Sequence, residues 1–302
     1  MPITLPPVSR RRFLSGAVGV GAGLLLSRFA IAEPQVAIDP NRIVLISDLH
    51  INANLALIDR EANMANNLTR VVKAIAALDP KPAAVLVNGD CAHTRGTAEE
   101  YAAVVGLLRP IREAGIPIHL SLGNHDDRAA FWKAIPDEDK PDKPVADRQI
   151  SLIELSAVDV YMLDSLIKPL TTPGLIGEAQ LAWLAKSLDA RTDKPAMILS
   201  HHQPDLKPKT NGLTDTKELL DIISPRKQVK SLIYGHTHDW KYAKQPDGLH
   251  YLNLPPTAYV FAKGKPSGWV DVTLTITSAI AQFYSLDEKH AQHGQKLLLD
   301  WR

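Results

Sequence analysis

Apolar residues recur in two rhythms along this chain. Continuous runs such as Ile43-Val44-Leu45-Ile46 and Ala83-Ala84-Val85-Leu86-Val87 read as strands covered on both faces. They predict strands at residues 42–47, 83–88, 116–122, 195–200 and 231–234. Leu68, Val71, Val72, Ile75 and Leu78 are spaced by three and four, which predicts a helix over 64–78 that Pro80 and Pro82 stop. A second helix is predicted over 98–114, with Thr97 as its cap, Glu99 and Glu100 in its first turn and Gly115 closing it. Strand, helix, strand, helix, strand with short connections means parallel βαβ units, hence an α/β protein. Residues 150–155 and 158–163 alternate enough to be paired strands. Short helices are predicted at 180–188 and 215–223. From Gly248 the pattern turns β-rich, with strands at 251–254, 268–277 and 279–284. Residues 136–149, charged and proline-rich, read as a surface loop, either a lid or a solvated excursion. The polar tail, 287–302, is expected to be partly disordered.

The predicted strands end in one kind of chemistry. The first runs into Asp48-Leu49-His50, the second into Gly89-Asp90, and the third into Gly123-Asn124-His125-Asp126-Asp127. The later two run into His201-His202 and Gly235-His236-Thr237-His238. In open α/β sheets ligands bind beyond the carboxyl ends of the strands, so five such ends can converge on one site. Carboxylate and amide oxygens suit hard divalent cations, while imidazole suits zinc, iron and manganese. Two-apart pairs such as Asp48/His50 and His236/His238 face the same way in extended chain. A lone Gly-Asp means little; five such endings in one chain are a pattern.

Composition narrows the setting. Ser9-Arg10-Arg11-Arg12-Phe13-Leu14 precedes an apolar, glycine-rich stretch and a small-residue exit, Ala30-Ile31-Ala32. That is the layout of a bacterial export leader over residues 1–32, and its paired arginines resemble the twin-arginine type. The expected location is periplasmic or secreted, and the export machinery is an expected partner. An uncleaved anchor is the other reading, but the stretch is shorter than the roughly 20 apolar residues that span a bilayer. No stable membrane anchor is expected after cleavage, and one domain is expected over 33–302. Removing the leader takes four arginines and no acid, leaving 30 basic against 33 acidic residues. There is no basic excess to attract nucleic acid. With a single cysteine, Cys91, no internal disulfide can form.

These five endings, in this order, resemble the motifs of calcineurin-like metallophosphoesterases. The stretches Ser47-Asp48-Leu49-His50, Gly96-Thr97-Ala98-Glu99-Glu100-Tyr101 and Gly123-Asn124-His125-Asp126-Asp127-Arg128 resemble the cyclic-nucleotide and glycerophosphodiester phosphodiesterase branch. The resemblance implies two mixed β-sheets packed face to face with helices on the outer faces, a four-layer αββα sandwich. It implies two divalent or trivalent metal ions (iron, manganese or zinc). One would take Asp48, His50, Asp90 and His238; the other would take Asp90, Asn124, His201 and His236, with Asp90 bridging. A metal-bound hydroxide would attack a small phosphoester, and His125 would assist the leaving oxygen. His93 stands where relatives carry a tyrosine or an aspartate, and either contacts substrate or lines the rim. His202 is a further substrate-side candidate.

The expected function is therefore an exported binuclear phosphodiesterase. Rival readings are a phosphomonoesterase on the same scaffold, a non-catalytic metal-bearing protein for phosphorylated ligands, and an exported redox metalloprotein. Charge favours the diester, because a dianionic monoester needs clamping arginines and neither Arg95 nor Arg128 falls at a motif position for that role. His119 reads as a sheet residue, Cys91 as a small core filler, and Trp240 and Tyr242 as either cavity wall or core.

Overall fold

The computed structural model describes residues 37–135, 143–207 and 211–302, together with the backbone of Thr4–Leu5. The remainder of the expected leader lies outside the described residues. Two sheets form the centre. The larger has the order β1 (Thr4–Leu5), β6 (Ile118–Ser121), β5 (Lys81–Asn88), β2 (Ile38–Ile46), β13 (Gly268–Leu274), β14 (Ser278–Ser285), β15 (Lys296–Asp300). Strands β2, β5 and β6 are parallel and the rest antiparallel. The smaller has the order β11 (Lys241–Lys244), β12 (His250–Asn253), β10 (Val229–Tyr234), β9 (Ala196–Ser200), β8 (Asp159–Leu163), β7 (Ser151–Glu154), with parallel β8, β9, β10 and β12 between antiparallel edges. Both sheets are mixed, as expected.

The side chains divide among three apolar layers in the way strand alternation demands. Ile43 and Leu45 of β2 and Ala84 and Leu86 of β5 point toward the smaller sheet, where they meet Val160, Met162, Met197, Leu199 and Ile233. Val44, Ile46, Val85 and Val87 point the other way, toward helices α1 (Met64–Ala76), α2 (Ala98–Glu113) and α3 (Arg128–Ala134). Helices α4 (Glu178–Asp189) and α5 (Thr216–Ile223) cover the outer face of the smaller sheet through Leu184, Leu188, Leu219 and Ile223. Helix α1 shows why the pattern was readable. Its buried Met64, Leu68, Val71, Val72 and Ile75 are the predicted stripe, each contributing about 1.5–3 kcal/mol as an upper figure. Helix α2 starts with a full capping box between Thr97 and Glu100.

One expectation needs revision, and two elements are additions to it. The tail is ordered: β15 pairs with β14, and the Arg302 guanidinium donates to the carbonyls of Ile223 and Val229 and to Asp247. Helix α3 was not anticipated, nor was the hairpin formed by β3 (Ile58–Asp59) and β4 (Ala62–Asn63). Of the loop at 136–149, residues 136–142 lie outside the described residues and 143–149 do not line the cavity described below. No helix among the described residues is long and apolar enough to cross a membrane.

Candidate metal centre and substrate cavity

The parallel strands of both sheets point their carboxyl ends at one place, and the backbone there turns sharply. Asp48, His50, Asp90, His236 and His238 all adopt left-handed conformations, with φ of 53°, 45°, 47°, 66° and 52°. Such backbone is costly for residues with a Cβ, and its concentration at one spot is characteristic of a functional site. Glycine is required for the close approach. A Cβ on Gly123 would lie 2.2 Å from Asp90 Oδ1, and one on Gly235 would lie 2.1 Å from Ser47 Oγ.

Asp48, His50 and His238 bring ligand atoms within 4.8 Å of one another, and so do Asp90, His201 and His236. Asp90 joins the two groups. Its Oδ1 accepts the backbone N–H of His125 at 2.9 Å, which leaves Oδ2 3.4 Å from His50 Nε2 and 3.3 Å from His201 Nε2. Asp48 Oδ1 lies 3.3 Å from His238 Nε2. The buried Oδ1 of Asn124 and Nε2 of His201 have no hydrogen-bond partner. The imidazoles are oriented from behind by carbonyls. His201 Nδ1 donates to Asn88 O at 2.9 Å and His238 Nδ1 to Tyr259 O at 2.6 Å, so both Nε2 atoms face inward.

The carboxylates and imidazoles of the site shift one another. Burial works against ionising Asp48 and Asp90, yet the surrounding imidazoles hold both carboxyls below the usual range. Burial also opposes charge on His201, but Asp90 and Asp48 outweigh it and push that imidazole up to about 10. His50 and His236 are driven down mainly by burial, His236 to about 4. Orphaned buried donors around two carboxylates fit a pair of metal ions, and mixed N/O donors suit transition metals.

Above this floor opens a cavity of about 610 Å³, lined by His50, Asp90, Asn124, His125, His236 and His238 together with Asp59, Arg60, His93, Tyr259 and Phe261. The Nδ1–H of His125 donates to His93 O at 2.7 Å, leaving Nε2 free for other chemistry. His93 lies on the wall, its Nε2 3.1 Å from Asp59 Oδ2. His202 does not line the cavity. It is fully buried, bonded to Ser165 Oγ at 2.8 Å and packed edge-on against His201, so a direct substrate contact does not fit its position. Arg128 is engaged by Asp164 and the Leu166 carbonyl, and Arg95 is exposed off the cavity. Cys91, Trp240 and Tyr242 pack in the apolar layers.

Several residues at the site have roles that were not assigned from the sequence. Asp126 is buried, and its carboxylate accepts from the backbone N–H groups of Cys91, Ala92 and Gly123 and from Tyr101 Oη. It thereby clamps the Asp90 turn to the Asn124 turn; burial pushes its pKa up to about 6, though the three backbone N–H groups pull the other way. Tyr259 stacks on His50, with centroids 5.0 Å apart, and Phe261 on His238 at 4.1 Å.

Comparison with known proteins agrees with this geometry. The model of the calcineurin-like phosphoesterase family matches residues 41–240. A 3′,5′-cyclic adenosine monophosphate phosphodiesterase of Pseudomonas aeruginosa is 26% identical over 234 residues, covering 76% of this chain and 80% of that protein. A probable glycerophosphodiester phosphodiesterase of Arcobacter nitrofigilis is 28% identical over 202 residues, 65% of this chain and 71% of that protein. Among solved structures, a dimetal phosphatase from Danio rerio superposes with a TM-score of 0.69 at 13% identity, over 87% of this chain and all of that one. A purple acid phosphatase from yellow lupin superposes with a TM-score of 0.62 at 12% identity, over 86% of this chain and 53% of that one. Strand ends, ligand-bearing turns and family match coincide on the same residues, and the chain belongs to the calcineurin-like phosphoesterase family.

Proposed function

We propose that the chain is an exported phosphodiesterase that holds two metal ions and hydrolyses small phosphodiesters. Asp48, His50, Asp90 and His238 would hold one ion, and Asp90, Asn124, His201 and His236 the other. A bound pair of this kind supplies a nucleophile from water at neutral pH and neutralises phosphoryl charge. The rest is work for the chain itself. Asp90 keeps one oxygen on the His125 backbone and presents the other to both imidazole groups. The His93 carbonyl fixes the tautomer of His125 with its proton on Nδ1, so that Nε2, after taking up a second proton, can pass it to the leaving oxygen.

The observation that carries the diester over the monoester is the state of the arginines. Arg128 is committed to Asp164, Arg95 is off the cavity, and among the described residues Arg60 is the one arginine on the wall, with Asp59 beside it. A monoanionic diester suits that charge better than a dianionic monoester. The relatives named for cyclic-nucleotide and glycerophosphodiester substrates support the same choice.

The test compares kcat/KM for a bis-aryl phosphate and the matching aryl monophosphate at one pH with one metal. The diester should win, and a monoester turned over as well or better would replace this reading by a phosphomonoesterase. Export rests on the Ser9–Leu14 sequence pattern. Replacing Arg10 and Arg11 by Lys should retain the protein in the cytoplasm, and unchanged delivery would contradict twin-arginine export.

A further inference from the structure

Phe261 is 55% exposed at the mouth of the cavity, although one of its faces stacks on His238 with an interplanar angle of 20°. The Arg60 guanidinium carbon lies 5.2 Å from the Phe261 ring centroid and 5.5 Å from that of Tyr259. Arg60 is delivered there by the β3–β4 hairpin, whose two central residues, Arg60 and Glu61, both have positive φ (46° and 67°). Hairpins of this type ordinarily place Asn or Gly at those positions, and strained residues persist where function holds them. A strained turn thus sets a planar cation over a half-exposed aromatic ring at the entrance to a phosphoester site.

We infer that Phe261 and Arg60 determine specificity by forming a shelf for a flat aromatic ring on the substrate, the nucleobase of a nucleotide diester. The inference rests on the phosphodiesterase reading and adds the identity of the group that flanks the phosphate. A ring and a guanidinium plane are the two surfaces on which bases stack. A glycerol or ethanolamine ester offers no π face and gains nothing from either. Asp59, beside Arg60 on the wall, leaves the rim without a large positive excess, so the shelf recognises the ring more than a second anionic group.

The metal-loaded enzyme and its Phe261→Ala, Phe261→Tyr and Arg60→Ala variants would be assayed with 3′,5′-cyclic AMP and with glycerophosphoethanolamine. Phe261→Ala should cost about tenfold more in kcat/KM on the nucleotide than on the glycerol ester, with the excess in KM. Arg60→Ala should follow in the same direction, and Phe261→Tyr should restore the preference. In parallel, calorimetry would compare adenosine 5′-monophosphate with ribose 5-phosphate. The nucleotide should bind about tenfold more tightly to the wild type, and Phe261→Ala should erase the difference. Equal losses on both diesters, or equal binding of the two monophosphates, would overturn the shelf. If no diester is turned over, the phosphodiesterase reading fails, and the binding comparison still decides the shelf by itself.

Discussion

His50 and His238 point their Nε2 atoms at each other across 3.1 Å, deep in the protein. His238 has its Nδ1–H on the Tyr259 carbonyl, so its inward nitrogen is a lone pair; His50 Nδ1 is buried without a partner. An Nε2–H on a neutral His50 would donate to that lone pair and leave His50 Nδ1 orphaned, whereas donors about 2.1 Å from one cation also sit roughly this far apart. Metal that binds only the folded chain should stabilise it by about 2.7 kcal/mol at a hundredfold excess over Kd. Chelation should therefore lower the thermal midpoint by about 5–10 °C, reversibly. In His238→Ala the shift should shrink. A midpoint indifferent to chelator and metal in the wild type would contradict the pairing.

The close approach at Gly123 leads to a second expectation. A methyl group there would meet Asp90 Oδ1 at 2.2 Å and displace the carboxylate that joins the two ligand groups. Gly123→Ala should lower turnover roughly 10²-fold, the scale of a misplacement of about 1 Å. Gly106→Ala, on α2 where a Cβ meets nothing within 4 Å, should stay within about 1 kcal/mol of wild-type stability and retain turnover. Similar activity in the two variants would remove the steric argument.

His125 should matter in proportion to the leaving group. An alkoxide needs a proton and a nitrophenolate scarcely does, so His125→Ala should lose about 10²–10⁴-fold on alkyl diesters and less on nitrophenyl ones, with metal content preserved. Kinetics across a leaving-group series check this, and a uniform loss would assign His125 to another task.

How far this site could be read from the sequence depended on periodicity. Ile43 to Ile46 and the stripe Leu68, Val71, Val72, Ile75 follow regular spacing, so the strands, α1 and the five strand ends were legible. Gly123 and Gly235 stood out by residue type, although their reason, room for Asp90 and for Ser47, is tertiary. Tyr259, Phe261 and Arg60 come from an irregular loop and a two-residue-strand hairpin, where no period exists. Asp126 looked like a turn residue because three of its four donors, from Cys91, Ala92 and Tyr101, come from distant segments. The tail read as disordered because its anchor, Arg302, works through backbone carbonyls that composition does not reveal.

His119 sets a pH dependence away from the metal centre. It is buried in β6, and burial lowers its pKa from 6.5 to about 4. The unfolded chain takes up this proton below pH 6.5 while the folded chain resists it to about pH 4, so stability falls as pH drops through that window. The full effect is up to about 3 kcal/mol. Denaturant unfolding at pH 7 and pH 4.5 should show a smaller loss in His119→Gln than in wild type. Identical losses would mean that His119 does not titrate in this way.

Asp90 lies between the two groups of candidate ligands, and the proposed bridging role is tested most directly by metal stoichiometry measured together with turnover. Wild-type protein should carry two metal ions per chain. Asp90→Ala should fall below one and lose roughly 10³-fold or more in turnover, since both ligand groups share that carboxylate. Two retained ions with near-normal turnover in Asp90→Ala would contradict the proposed two-metal centre.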